Sequence, residues 1–223
     1  TAIGTHLGEA TALLAEPLAD EMTRGEALRW GALLHDAAKP LTREVTADGR
    51  VSFMGHDRLG AGLAREVLER LRASERLRRH VAGLVRHHLR LGFLVHEPQP
   101  LARRTVYAYL RACDPVEVDV TLLSLADRLA TRGDRAEQAI AAHLELGGQM
   151  LGEALRWRAQ GPPAALLRGD ELARELELAP GPAVGRLLEQ LSEARFAGEI
   201  QTPAQALALA RRLQAERPAG RDG

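Results

Sequence analysis

The 223-residue chain reads as all-α: a helical bundle with one short β-hairpin, followed by a small helical C-terminal module. Three observations predict this. Leu and Ala occur 38 times each, whereas Ile occurs three times and the aromatics seven times together; good helix formers far outnumber residues that fit a pleated surface. Apolar positions recur at helical spacing along most of the chain. Turn signals built from Gly and Pro, such as Gly161-Pro162-Pro163, separate those periodic stretches.

The elements follow in order. A first helix is expected over roughly 5–16. A second, roughly 24–38, carries Ala27, Leu28, Gly31, Ala32, Leu33 and Leu34, apolar nearly all round, and should be buried. Pro40 stops it. Leu41–Thr46 and Arg50–Met54 flank Ala47-Asp48-Gly49, the signature of a hairpin turn. Helices are expected near 56–73, 76–90, 100–112, 116–131 and 135–159. Beyond the Gly-Pro-Pro boundary come shorter helices near 169–177, 182–197 and 203–215. This gives a domain over 1–160, a helical module over 161–216 and a disordered tail over 217–223.

Composition excludes several classes. A 45% apolar fraction with mixed charge is globular. One cysteine, Cys113, excludes a disulfide framework and a Cys-rich zinc site. Thirty basic and thirty acidic residues cancel, so there is no overall basic field, although a local patch can exist. No apolar run reaches the roughly 18 residues of a membrane span. The N-terminal Thr1-Ala-Ile-Gly lacks a basic region and an apolar stretch, so no signal peptide and a cytoplasmic location are expected. The chain starts without Met, which fits either removal before a small Thr or a piece of a longer protein. Of the basic residues 29 are Arg; the single Lys is Lys39.

Several side chains have the chemistry of metal ligands. His35-Asp36 closes the expected buried helix, where an uncompensated carboxylate is costly, so Asp36 needs a cation or several hydrogen-bond donors. Asp127 is flanked at helical spacing by Val120, Leu123 and Ala130, which predicts a second buried carboxylate. His88 falls on the stripe of Leu77, Val81, Leu84 and Val85; His87 points about 100° away and is its rival. His56 directly follows the hairpin, either capping a helix or hanging into a cleft. His6 lies on the first helix with Ile3, Ala10 and Leu13 on its face. Each has a structural explanation on its own. Together, four imidazoles and two carboxylates on separate elements form a nitrogen and oxygen donor set suited to Mn, Fe, Mg or Zn. Two such ions would clamp a phosphate and activate a water.

At this point a resemblance applies. Leu33-Leu34-His35-Asp36-Ala37-Ala38-Lys39-Pro40 resembles the signature of the HD superfamily of metal-dependent phosphohydrolases. The order His6, His35-Asp36, His56, His88, Asp127 resembles the ligand set of its two-metal members. In more detail the chain is similar to the HD and C-terminal region of the tRNA nucleotidyltransferase and poly(A) polymerase family. Phe53-Met54-Gly55-His56, Leu84-Val85-Arg86-His87-His88, Leu167–Leu172, Pro180–Gly185 and Gly198-Glu199 carry that similarity across nearly the whole sequence. The nucleotidyltransferase head of that family is not among these residues. Either the chain is a stand-alone relative, or a head precedes residue 1 or is a separate partner.

The resemblance implies one or two divalent ions (Mn, Fe, Mg, Ni or Zn). His6, His35, Asp36 and Asp127 would hold one; Asp36 would bridge to a second completed by His56 and His88. Asp36 and Lys39 are the expected catalytic residues, with Lys39 and Arg43 binding substrate phosphate. The expected reaction is attack of a metal-activated water on a nucleotide or an RNA-terminal phosphate. The alternative is an RNA-binding or scaffold module, contacting tRNA or another RNA without hydrolysis. A helix-end role for Lys39, favoured by the helix dipole, competes with phosphate contact. Residues 65–90 carry eight Arg against three Glu, either a solvated face or a patch for RNA backbone. His80, His96 and His143 have no role legible in the sequence.

Overall fold

The computed structural model describes residues 4–131 and 136–216. The expected tail over 217–223 and the expected helix start at 135 lie outside the described residues. By its internal contacts the chain divides into two units: residues 1–99 with 112–159, and residues 100–111 with 160–223.

The first unit begins with a 3-10 turn, Gly4–His6, leading into α1 (Leu7–Leu14). Two short strands follow, β1 (Pro17–Ala19) and β2 (Met22–Thr23), paired antiparallel. Asp20 and Glu21 make their turn with φ of 53° and 61°. No Gly marks this turn, so the sequence gives no hairpin signal there. Thr23 then caps α2 (Arg24–Leu34): its side chain accepts from the Glu26 N–H while Glu26 reaches back to the Thr23 N–H.

Helix α2 departs from expectation twice. It ends at Leu34 rather than 38, with His35 at its C-cap, and the chain continues through turns into a 3-10 turn, Lys39–Leu41. Nor is it buried all round: Leu33 is 71% exposed, whereas Arg24 is buried. The burying face is Arg24, Ala27, Gly31 and Leu34, a stripe at helical spacing.

The expected hairpin forms in short: β3 (Glu44–Val45) pairs with β4 (Val51–Ser52). Gly55, in the left-handed region at φ 79°, turns the chain into α3 (His56–Arg70). Helix α4 (Glu75–His87) starts at Ser74, whose side chain accepts from the Leu77 N–H. It stops at 87 rather than 90, and α5 (Arg90–Leu94) follows. Helices α7 (Glu117–Ala130) and α8 (Ala136–Gln160) complete the unit.

Its core joins α2, α3, α4 and β1 through Leu18, Ala27, Leu34, Ala64, Leu68, Leu77, Val81 and Val85. Each fully buried Leu stabilises the fold by about 1.5–3 kcal/mol. Gly31 lets α2 lie close on α4: a Cβ there would meet Leu84 Cδ1 at 2.6 Å.

The second unit packs α9 (Gly169–Glu175), α10 (Pro182–Phe196) and α11 (Pro203–Ala215) around Leu172, Leu187, Leu191, Ala206 and Leu209. Residues up to Arg111 of α6 (Arg103–Cys113) belong with it. Arg104 donates to Glu199 at 2.7 Å through two nitrogens and to Glu193, and the Tyr107 hydroxyl donates to Glu189 at 2.9 Å. No helix among the described residues is long and apolar enough to cross a membrane.

Candidate metal centre

Five of the side chains singled out in the sequence meet in the first unit. His35 and Asp36 stand where α2 ends, His56 opens α3, His88 caps α4, and Asp127 lies in the last turn of α7. His56 and His88 are buried. The Asp36 carboxylate is 35% exposed, so one side of the cluster faces solvent.

The three rings are oriented by one device. His35 Nδ1 lies 2.8 Å from the Ala32 carbonyl, His56 Nδ1 2.7 Å from that of Phe53, and His88 Nδ1 2.7 Å from that of Val85. A carbonyl oxygen only accepts, so each Nδ1 carries the proton. In a neutral ring the lone pair is then on Nε2. Such an outer hydrogen bond is the usual way a protein fixes the tautomer and aim of a ligating His.

Those Nε2 atoms converge on Asp36, and its two oxygens are divided between them. Oδ1 faces His56 Nε2 at 3.3 Å and His88 Nε2 at 3.8 Å. Oδ2 faces His35 Nε2 at 3.3 Å and accepts from Lys39 Nζ at 2.6 Å. His35 Nε2 also lies 3.6 Å from Asp127 Oδ1. One donor atom each from Asp36, His56 and His88 falls within 4.8 Å of the others. His56 and His88 bring their Nε2 atoms to 3.2 Å. Two lone pairs at that distance repel unless a proton or a cation stands between them. Burial lowers the His88 pKa from the usual imidazole value, and the charges of His35 and His56 act in the same sense, which disfavours the proton. A divalent ion fits this donor set of imidazole nitrogens and carboxylate oxygens.

His35 is the opposite case. The facing Asp127 carboxylate raises its pKa, and His35 in turn lowers that of Asp127. Asp127 is not the buried group the apolar neighbours suggested: its side chain is 51% exposed. The buried part of α7 ends at Leu125, and Leu129 in the same last turn is 54% exposed. The buried carboxylates of α7 are Glu117 and Asp119 instead. Asp119 could have been found from Val116, Val120 and Leu123 around it.

His6 is not brought to the cluster. It ends a 3-10 turn rather than lying within α1, and its ring rests on Gly152 of α8, where a Cβ would meet Nε2 at 2.6 Å. His87 also turns elsewhere, accepting at Nδ1 from Arg90 Nε at 2.9 Å. Lys39 is half-exposed and lies over the Phe53 ring, 5.7 Å from its centroid. Arg43 is exposed, just past the 3-10 turn. Two further histidines are buried: His80 faces Asp119, and His143 Nε2 pairs with Ser124 Oγ at 3.1 Å.

A mainly helical unit that gathers His-Asp, His, His and Asp from successive elements defines a class, that of His/Asp-centred divalent-metal folds. Residues 9–132 match the HD domain family, and the chain belongs to it. The chain is 38% identical over 192 residues to an A-adding tRNA nucleotidyltransferase of Deinococcus radiodurans, covering 86% of this chain and 42% of that protein. It is 36% identical over 182 residues to a CC-adding tRNA nucleotidyltransferase of Thermus thermophilus, covering 81% and 38%. The chain thus spans about two fifths of the length of these curated relatives.

Proposed function

We propose that the cluster holds one or two divalent ions and that the protein hydrolyses a phosphate ester of a nucleotide or an RNA end. The observation that carries this is the aim of the rings: His35, His56 and His88 each spend Nδ1 on a backbone carbonyl and turn Nε2 to the two oxygens of Asp36.

In this reading Asp36, His56 and His88 would hold one ion, and His35, Asp36 and Asp127 would hold a second where two bind. His6 stays outside the proposed set, because its ring rests on Gly152. A divalent ion supplies a Lewis acid that makes a water nucleophilic near neutral pH and offsets phosphoryl charge. The chain's own residues do the rest. The carbonyls of Ala32, Phe53 and Val85 keep the rings in the ligating tautomer. Lys39 pairs with Asp36 Oδ2 and is the cation that a substrate phosphate oxygen would recruit. Arg43, exposed just past the 3-10 turn, would be a second phosphate contact. The half-exposed Asp36 and exposed Asp127 leave the cluster open to a phosphate.

A second reading is favoured by the relatives, both tRNA nucleotidyltransferases. In it the chain is a tRNA-handling module of such a protein, or works with a separate nucleotidyltransferase domain, and its metal centre is structural. One experiment separates the two. The full chain, loaded in turn with Mn, Fe, Mg, Ni and Zn, is offered mononucleotides, cyclic nucleotides and an RNA ending in a phosphate. Release of phosphate that is lost in Asp36→Ala supports hydrolysis. Metal uptake with no release from any substrate supports the module.

A further inference from the structure

The arginine surplus of residues 65–90 does not form one surface. Arg65, Arg78 and Arg79 are drawn to Glu75 or Glu69, Arg65 through a pair of 3.0 Å bonds to Glu75. Arg76 and Arg79, one turn apart on α4, line a cavity of 560 Å³ together with Glu75, Arg24 of α2 and Arg158 of α8. These three helices all belong to the first unit. The cavity is of the size that takes a small ligand.

The four guanidiniums face two lining carboxylates, Glu75 and Asp114, and Glu75 is already shared with Arg65 outside the cavity. Arg158 donates to the Pro115 carbonyl at 3.2 Å and lies 3.8 Å from Glu117. Burial raises the Glu117 pKa to about 7, so Glu117 offsets only part of that charge near neutrality. Deeper in, Arg24 is 4% exposed and pairs with Asp119, yet its Nε has no hydrogen-bond partner among the described residues. His80, 6% exposed, also makes no hydrogen bond at Nε2, which faces Asp119 Oδ1 at 3.7 Å. Buried donors and cations left short of partners are costly unless something else satisfies them. Leu18, Pro115 and Val116 add an apolar wall.

We propose that this cavity is a second binding site, separate from the metal centre, for a phosphate carried on a flat organic group of about mononucleotide size. Arg76, Arg79 and Arg158 hold the phosphate oxygens, and the organic part lies on Leu18, Pro115 and Val116. Guanidiniums suit the task because their planar fork pairs with two phosphate oxygens at once. The phosphate can come from a free nucleotide or from an RNA backbone. None of the residues that line it belongs to the His/Asp cluster; His87, which does line it, accepts from Arg90.

Calorimetric titration of the full chain tests this, with chelator present so that neither metal-held phosphate nor turnover contributes. The probes are AMP, adenosine, inorganic phosphate, and a trinucleotide RNA with hydroxyl ends and only internal phosphates. AMP is expected to bind, inorganic phosphate to compete with it, and adenosine to bind at least about tenfold more weakly. Arg76→Glu with Arg79→Glu should weaken AMP at least about tenfold while leaving the melting curve and metal uptake as in the parent. Arg158→Gln should weaken it too, a check against a fold defect in the double variant. Tighter binding of the trinucleotide than of AMP, with the same arginine dependence, assigns the phosphate to RNA backbone. No binding of any phosphate probe at roughly 10 mM overturns the proposal, a Kd there being too weak to matter. So does equal binding of adenosine and AMP, or binding that ignores the arginine variants.

Discussion

His56 and His88 face each other Nε2 to Nε2 at 3.2 Å, and both rings have already committed Nδ1–H to the carbonyl three residues back. Neither ring can turn to relieve the contact without losing a hydrogen bond. Two facing lone pairs at that distance repel, and the proposed cation between them would relieve that repulsion.

Replacing one ring therefore has opposite effects in the two states. In chelator, His56→Gln should melt at or above the parent temperature, since one facing lone pair is gone. With Mn present the parent should gain about 2.7 kcal/mol at a hundredfold excess over Kd, and the variant almost none. Differential scanning calorimetry with and without metal reads both. A parent curve that metal does not move speaks against the centre.

Lys39→Arg is not a silent change. The ammonium sits 2.6 Å from Asp36 Oδ2, over Phe53. A guanidinium is wider and planar, and cannot occupy the same point. With a hydrolysed substrate in hand, kcat/KM should fall at least about tenfold, or 1.4 kcal/mol in the barrier, with metal content unchanged. Unchanged kcat and KM would return Lys39 to a helix-end cation.

Arg24→Met should be among the most destabilising single changes in the first unit. Asp119 is fully buried; burial acts to raise its pKa, but His80 and Arg24 lower it by more, so it is ionised in the fold. Removing Arg24 strands that charge at a cost of about 3–5 kcal/mol. Arg24→Met with Asp119→Leu should recover much of it. Urea unfolding of both variants checks this, and a single variant within 1 kcal/mol of the parent, about the cost of an exposed pair, would contradict it.

Glu117 makes stability fall with rising pH. Burial raises its pKa in the fold to about 7, against 4.5 as the ordinary value. Between those values the native state holds a proton that the unfolded chain has lost. Its effect is absent below pH 4.5, grows as pH rises to about 7, and is then constant. Glu117→Gln should remove a loss of about 1–3 kcal/mol across that window. Chemical denaturation at several pH values compares the two slopes; parallel profiles would refute the assignment.

Much of the fold is legible residue by residue. The turn at Asp48-Gly49 and the Gly161-Pro162-Pro163 break are local signals, and the chain obeys them. What fails depends on distant packing. On α7 both Asp119 and Asp127 have apolar neighbours at helical spacing. Only the packing of α2 and α4 on the first part of α7 decides that Asp119 is buried and Asp127 emerges. His6 lies against Gly152 of α8, at the end of a 3-10 turn rather than within α1. The β1–β2 turn bears Asp20 and Glu21 where Gly or Asn would have advertised it. Residues 100–111 join the C-terminal helices through Arg104 and Tyr107, and chain order gives no hint of that.

The central claim is that Asp36, His56 and His88 hold a divalent ion. Elemental analysis of the full chain after metal loading and exhaustive dialysis tests it most directly, with Asp36→Ala beside it. About one equivalent or more of a first-row metal is expected in the parent, with a loss to background in the variant. Less than about a tenth of an equivalent in the parent for every metal tried, or equal metal in both proteins, would contradict it.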